Sequence, residues 1–350
     1  MSSFFIKFFH FKKNFLGVIS LSFIVFIATI SIFAYILAPD KSSNANNMNL
    51  SIHSQMPGFS VDILKEKKTR TNDQSLCEIL LFGVSETSDE IAVSDYYMQG
   101  DFIFYKEFKS LDESLKSVLR NEYVVEKKYF LFGTDKFGRD VLSRIIVGSR
   151  ISISIGFISV VISLAIGLFF GLISGYYSGL VDKIIMWLIN VTWSIPTLLL
   201  VIAITLALGK GFWQVFIAVG LTMWVEVARL VRGQVKTLKE RKFITAAKVM
   251  GFSDFRIILF HILPNIISPI IVISAANFAA SILIESGLSF LGLGAQPPMI
   301  SWGLMIKDHY NYIILGEPFL AIIPGVCIML LVTSFMLLGN SLRDILDVKN

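Results

Sequence analysis

The sequence predicts an all-α polytopic membrane protein with six transmembrane helices and an extramembrane insertion after the first. Three observations carry that expectation. Of the 350 residues, 54% are hydrophobic, and mean hydropathy is +0.70; soluble domains rarely exceed about half apolar. The apolar residues gather into runs of about 20, the length that crosses the hydrocarbon core of a bilayer. One long stretch, 39–128, is instead mixed in charge and holds no such run.

Residues 1–14 are aromatic and basic, with Lys7, Lys12 and Lys13, and lead into a first apolar run at 14–37. That run is longer than the ~7–15-residue core of a secretory signal, and no Ala-x-Ala site closes it, so an uncleaved span is expected. In the insertion, 102–105 and Val124-Val125 read as strands, and 111–119 carries a helical spacing of Leu and Val. A small, partly ordered subdomain is expected there. It has no Gly-x-Ser-x-Gly and no His paired with nearby carboxylates.

The next stretch reads Gly133-Thr134-Asp135-Lys-Phe-Gly138-Arg139-Asp140-Val141, with turns at the two glycines. After Asp140, apolar residues at 141, 142, 145 and 146 share a face, which predicts a helix lying in the membrane interface. The second span is expected at 151–173, with Gly167, Gly171, Gly175 and Gly179 on one face for close packing. The third, 184–208, is interrupted by Pro196, which favours a kink and makes Pro196 a candidate pathway residue. The fourth is expected at 213–231, the fifth at 266–284 and the sixth at 319–338. Glu226 and Glu285 are the charged candidates, both near span ends; Glu285 is the second candidate pathway residue.

Composition excludes several functions. The charge of +5 is spread among loops, with no basic-aromatic stripe for nucleic acid. The four histidines (His10, His53, His261, His309) are scattered, and no zinc-type cluster is expected. Cys77 lies in a polar loop and Cys327 in an apolar run, so no disulfide is expected. No catalytic set is found, and no Gly-x-x-x-x-Gly-Lys-Ser/Thr occurs anywhere, so the chain has no phosphate loop of its own.

The stretch 243–264 is too short and broken to span. Ala246 and Ala247 favour helix and let another surface approach. Gly251 suits a left-handed turn, Ser253 a cap, and Asp254 the positive end of a second short helix, with Pro264 ending that helix. This stretch resembles the coupling loop of ABC importer permeases, Glu-Ala-Ala-x3-Gly-x9-Ile-x-Leu-Pro. Ala246, Ala247, Gly251, Leu263 and Pro264 fall on that spacing, while Thr245 replaces the Glu and His261 the Ile. The 133–141 element, the stretch from Trp224 to Gly233, and the segments 285–303 and 340–347 resemble the dipeptide/oligopeptide branch. The resemblance runs with gaps from about 130 to the end and leaves 39–128 uncovered.

The resemblance implies a type I ABC importer permease fold and a subunit that is not itself an enzyme. It implies a second homologous permease chain, two ATP-binding subunits that use the ATP, an extracytoplasmic substrate-binding protein, and membrane lipid around the spans. No cofactor is implied on this chain. The place is a bacterial inner membrane. The cargo is a dipeptide or longer peptide, with nickel or another small solute as the alternative, and an ATP-independent secondary transporter as the other class. The 133–140 motif is expected on the outer face, where the binding protein lands. The loop 229–264 carries eight basic residues against Glu240 and Asp254, whereas the opposite short loops carry Lys210 and Lys307 against Asp308 and Glu317. The positive-inside rule places that loop and both termini in the cytoplasm and 39–128 outside.

Overall fold

A computed structural model describes residues 14–67, 74–84, 89–109, 114–209 and 211–347. Lys7, Lys12, Lys13, His10, Lys210 and the 111–113 part of the predicted 111–119 helix lie outside the described residues. The helices are α1 (Phe15–Ile32), α2 (Ala34–Leu37), α3 (Leu76–Phe82), α4 (Val141–Tyr177), α5 (Gly179–Trp193), α6 (Thr197–Leu208), α7 (Phe212–Lys239), α8 (Lys242–Val249), α9 (Asp254–Ile257), α10 (Leu263–Phe290), α11 (Trp302–His309) and α12 (Phe319–Asp347). Five helical stretches are long and apolar enough to cross a membrane, and six if the bent pair α5–α6 counts as one.

Helices follow from these residues because apolar side chains in lipid leave backbone polar groups no partner but one another. They outrun the predicted spans. The second begins at Val141 and the fourth continues to Lys239, because hydropathy reports where a helix leaves lipid and not where its backbone bonding stops. One correction follows: the interfacial helix expected after Asp140 is the first part of α4. Another concerns Pro196, where the expected kink is a 90° turn between α5 and α6.

The chain forms two compact units. The first holds the chain up to Ile27, Ser152–Gln296 and the chain from Val326. Its core is helix on helix. A Cβ at Gly167, Gly171 or Gly175 would come within 2.5, 2.7 or 2.6 Å of the Cβ of Val227, Val231 or Val235, so the glycine face of α4 admits the valine face of α7 at backbone distance.

The second unit holds Ala28–Ile151 and Pro297–Gly325. Its centre is a five-stranded antiparallel sheet, order β4-β3-β2-β1-β5, built from β1 (Phe59–Glu66), β2 (Glu90–Gln99), β3 (Phe102–Glu107), β4 (Lys116–Leu119) and β5 (Tyr123–Phe130). The strands read at 102–105 and 124–125 are present. The helix predicted over 111–119 is corrected: Lys116–Leu119 pairs with β3 as a strand, Phe102 opposite Leu119. Val118 packs beside Ile103 and Tyr105, and that burial outweighs a three-residue spacing.

Candidate functional site

The segment after α7 is two-sided. Ile244, Ala247, Ile257 and Ile258 point inward and join a buried cluster with Val231, Val235, Ile262 and Tyr176. Outward, Thr245 and Ala246 are exposed, and so are the large apolar side chains Phe243, Val249 (84%), Met250, Phe255 (71%) and Phe260. An apolar surface this dense is characteristic of a docking site. Gly251 turns the chain between α8 and α9 at φ +78, a conformation nearly closed to β-branched residues.

Three expectations for this segment change. Ala247 is 1% exposed, so only Ala246 of the pair faces out. Ser253 precedes α9 without a side-chain cap bond. Pro264 does not end the helix: α9 passes through a π-turn, Ile258–Ile262, directly into α10. The wider turn frees a carbonyl upstream of the proline, where a strict α-helix would meet its ring. His261 lies in that turn, its ring 5.6 Å from that of Phe252.

Polar contacts missed in the sequence tie this segment to the spans. Asp254 accepts a 2.6 Å hydrogen bond from the Tyr176 hydroxyl at the end of α4. Lys248 and Lys239 lie over the Tyr176 ring at 5.1 and 5.6 Å. Nearby, Asp182 on α5 accepts from Arg232 Nε (2.5 Å) and Nη2 (2.8 Å), Lys236 Nζ (2.6 Å) and Ser174 Oγ (2.5 Å). The available signal was a lone carboxylate one turn into an apolar helix, which needs a partner.

In the second unit the Gly133–Asp140 motif is a buried clasp. Thr134 and Asp135 are fully buried, Arg139 6% and Asp140 4% exposed. Asp135 Oδ1 accepts from the backbone N–H of Phe137 and Arg139, and its Oδ2 from Arg139 Nε at 2.7 Å. Thr134 donates to the Ile52 carbonyl (2.5 Å) and accepts from the Gln55 N–H, while Arg139 donates to Asn46 Oδ1 at 2.9 Å. Cβ atoms at Gly133 and Gly138 would overlap the carbonyl oxygens of Gln55 and Asn49. These side chains therefore hold 46–55 and are not presented at a surface. The sequence could not show that this preceding stretch covers them.

Burial pushes the Asp140 carboxyl above its ordinary value, opposed by the Ser143 hydroxyl and N–H. Burial likewise pushes the His309 imidazole below its ordinary value. Its Nδ1–H donates to the Met305 carbonyl at 2.8 Å, and Nε2 lies 4.0 Å from Asp135 Oδ2.

The two pathway candidates differ. Pro196 is exposed at the α5–α6 turn. Glu285 is fully buried in α10 and accepts a 2.6 Å bond from Ser289, which suits a structural role. Glu226 is exposed and stays near the end of the apolar run 213–231, although its helix continues to Lys239. No group of three or more potential metal ligands occurs among the described residues.

Known proteins resemble this chain over more than half of its length. The model of the family described as binding-protein-dependent transport system inner membrane component matches residues 167–348. The dipeptide transport system permease protein DppC of Alkalihalophilus pseudofirmus is 43% identical over 218 residues, 62% of this chain and 71% of that protein. The glutathione transport system permease protein GsiD of Pectobacterium atrosepticum is 43% identical over 217 residues, 62% of this chain and 72% of that protein. A solved inward-facing structure of the MetNI methionine ABC transporter aligns at TM-score 0.47 and 18% identity, covering 59% of this chain and 96% of that one.

Proposed function

Because the chain belongs to the binding-protein-dependent transport system inner membrane component family, we propose that it is the permease half through which short peptides cross, and that it couples to a separate ATPase at 243–264. It is a multi-pass subunit of an ABC importer and not an enzyme. The observation that supports the coupling role is the two-sided segment: its inner face is locked into the core of the spans, while Phe243, Ala246, Val249, Met250 and Phe255 are left to a partner. An ATPase that grips this face pulls on α7 and α10 directly. The partners are a second permease chain, two ATP-binding subunits and a substrate-binding protein. ATP is bound by the ATPase subunits. The 39–128 segment is assigned to the extracytoplasmic side, and both termini to the cytoplasm.

The cargo reading rests on two relatives named for dipeptide and glutathione transport. The chain co-expressed with its partner subunits is reconstituted in vesicles, and uptake of a labelled dipeptide and of labelled glutathione is measured with ATP. ATP-dependent uptake of at least one is expected. Uptake of neither, with the ATPase still bound, would reject the peptide cargo.

A further inference from the structure

A cavity of about 160 Å³ opens at the α5–α6 turn, lined among others by Thr192, Trp193, Thr197, Thr222, Glu226 and Ile284. It is smaller than the roughly 300–1,000 Å³ of sites that enclose a whole drug-sized ligand, so it suits one end of a molecule. Two of its threonines offer only acceptor oxygens. The Thr192 hydroxyl donates to the Leu188 carbonyl at 3.0 Å and that of Thr222 to the Val219 carbonyl at 2.8 Å, which leaves their oxygens only lone pairs to offer. Glu226 makes no hydrogen bond or ion pair among the described residues. The nearest cation on its own helix, Arg229, is engaged at the cavity wall: it lies 3.6 Å over the Trp193 ring and donates to Asn190 Oδ1 at 3.5 Å, and it is not paired with Glu226. Glu226 lies within the apolar run 213–231, towards its end. An unpaired carboxylate within such a run is a functional site before it is a structural one.

A carboxylate with acceptor oxygens around it selects a small cation with several N–H donors. We propose that this cavity binds the α-ammonium of the peptide during passage, with Glu226 as the anchoring charge. The proposal rests on the peptide-importer reading above and names the group that is read.

The test uses the assembled transporter in vesicles. Cys77 and Cys327 are replaced by Ala, and Thr197→Cys places a thiol in the cavity. Its reaction rates with a trimethylammonium and with a sulfonate methanethiosulfonate are compared. The cationic reagent is expected to react about tenfold faster or more, as a focusing charge in a cleft produces. Glu226→Gln should remove the preference and Glu226→Asp should keep it. Glycylglycine should slow labelling where its N-acetyl form does not. Equal rates with Glu226 intact, a preference that survives Glu226→Gln, or no labelling because the second permease chain covers the thiol would each overturn the proposal. Absence of dipeptide uptake in the same vesicles, with the charge preference intact, would overturn the peptide cargo and leave the cation site standing.

Discussion

Ala246 and Ala247 are adjacent and chemically identical, yet they face opposite worlds. Ala247 is buried among Ile244, Ile257 and Val235, so Ala247→Glu places an unpaired carboxylate in the core. A loss of about 3 kcal/mol is expected, seen as poor membrane expression and early thermal unfolding in detergent. Ala246→Glu is exposed and should leave the unfolding temperature unchanged while abolishing ATPase co-purification. Equal effects from both would contradict the two-sided segment. His309 gives a second prediction at this scale. Its pKa is lowered in the fold by burial, against the raising influence of Asp135 and Asp308. Below the unfolded value the unfolded chain therefore binds more protons, and stability must fall as pH falls. Unfolding temperature should drop between pH 7.5 and 5.5, and His309→Gln should flatten part of that drop; an unchanged slope would show that His309 does not titrate with unfolding.

Among the elements, the α4–α7 pair depends on absent side chains. At Gly171 a Cβ would meet the Val231 Cβ and the Ala228 carbonyl oxygen, 2.7 and 2.8 Å away. Gly171→Leu should cost roughly 1–3 kcal/mol as overpacking, measured as a lower unfolding temperature. Gly171→Leu with Val231→Ala should recover part of it, and additivity of the two would argue that the helices do not meet there. The same pair shows why periodicity marks this contact: glycines four apart lie on one face whatever the partner is, whereas Gly179, expected on that face, instead opens α5 at φ +63 with nothing within 4 Å of an added Cβ. The π-turn before α10 was not legible, because nothing in Ile258–Ile262 marks a widened turn except the proline two residues on.

For the whole molecule, the charge asymmetry gives a topology prediction. Native Cys77 is exposed and Cys327 half-buried. An impermeant maleimide should label Cys77 only from outside the cell, and a cysteine at Lys242, which is exposed, only from the cytoplasmic side. Labelling of both from one side would break the arrangement. The sequence by itself determined the membrane class, the approximate spans and the family branch, and singled out the segment proposed for coupling. Each of these rests on runs, spacings or turns that act over a few residues of contiguous chain. Only the tertiary structure decided that Gly133–Asp140 is a buried clasp on 46–55, that Ala247 faces inward, that Asp182 gathers Arg232, Lys236 and Ser174, and that Glu226 opens on a cavity with Trp193. Each of those depends on which distant segment covers a side chain. Local patterning does not encode that partner, since a buried ion pair and a solvated charge are spelled with the same residues.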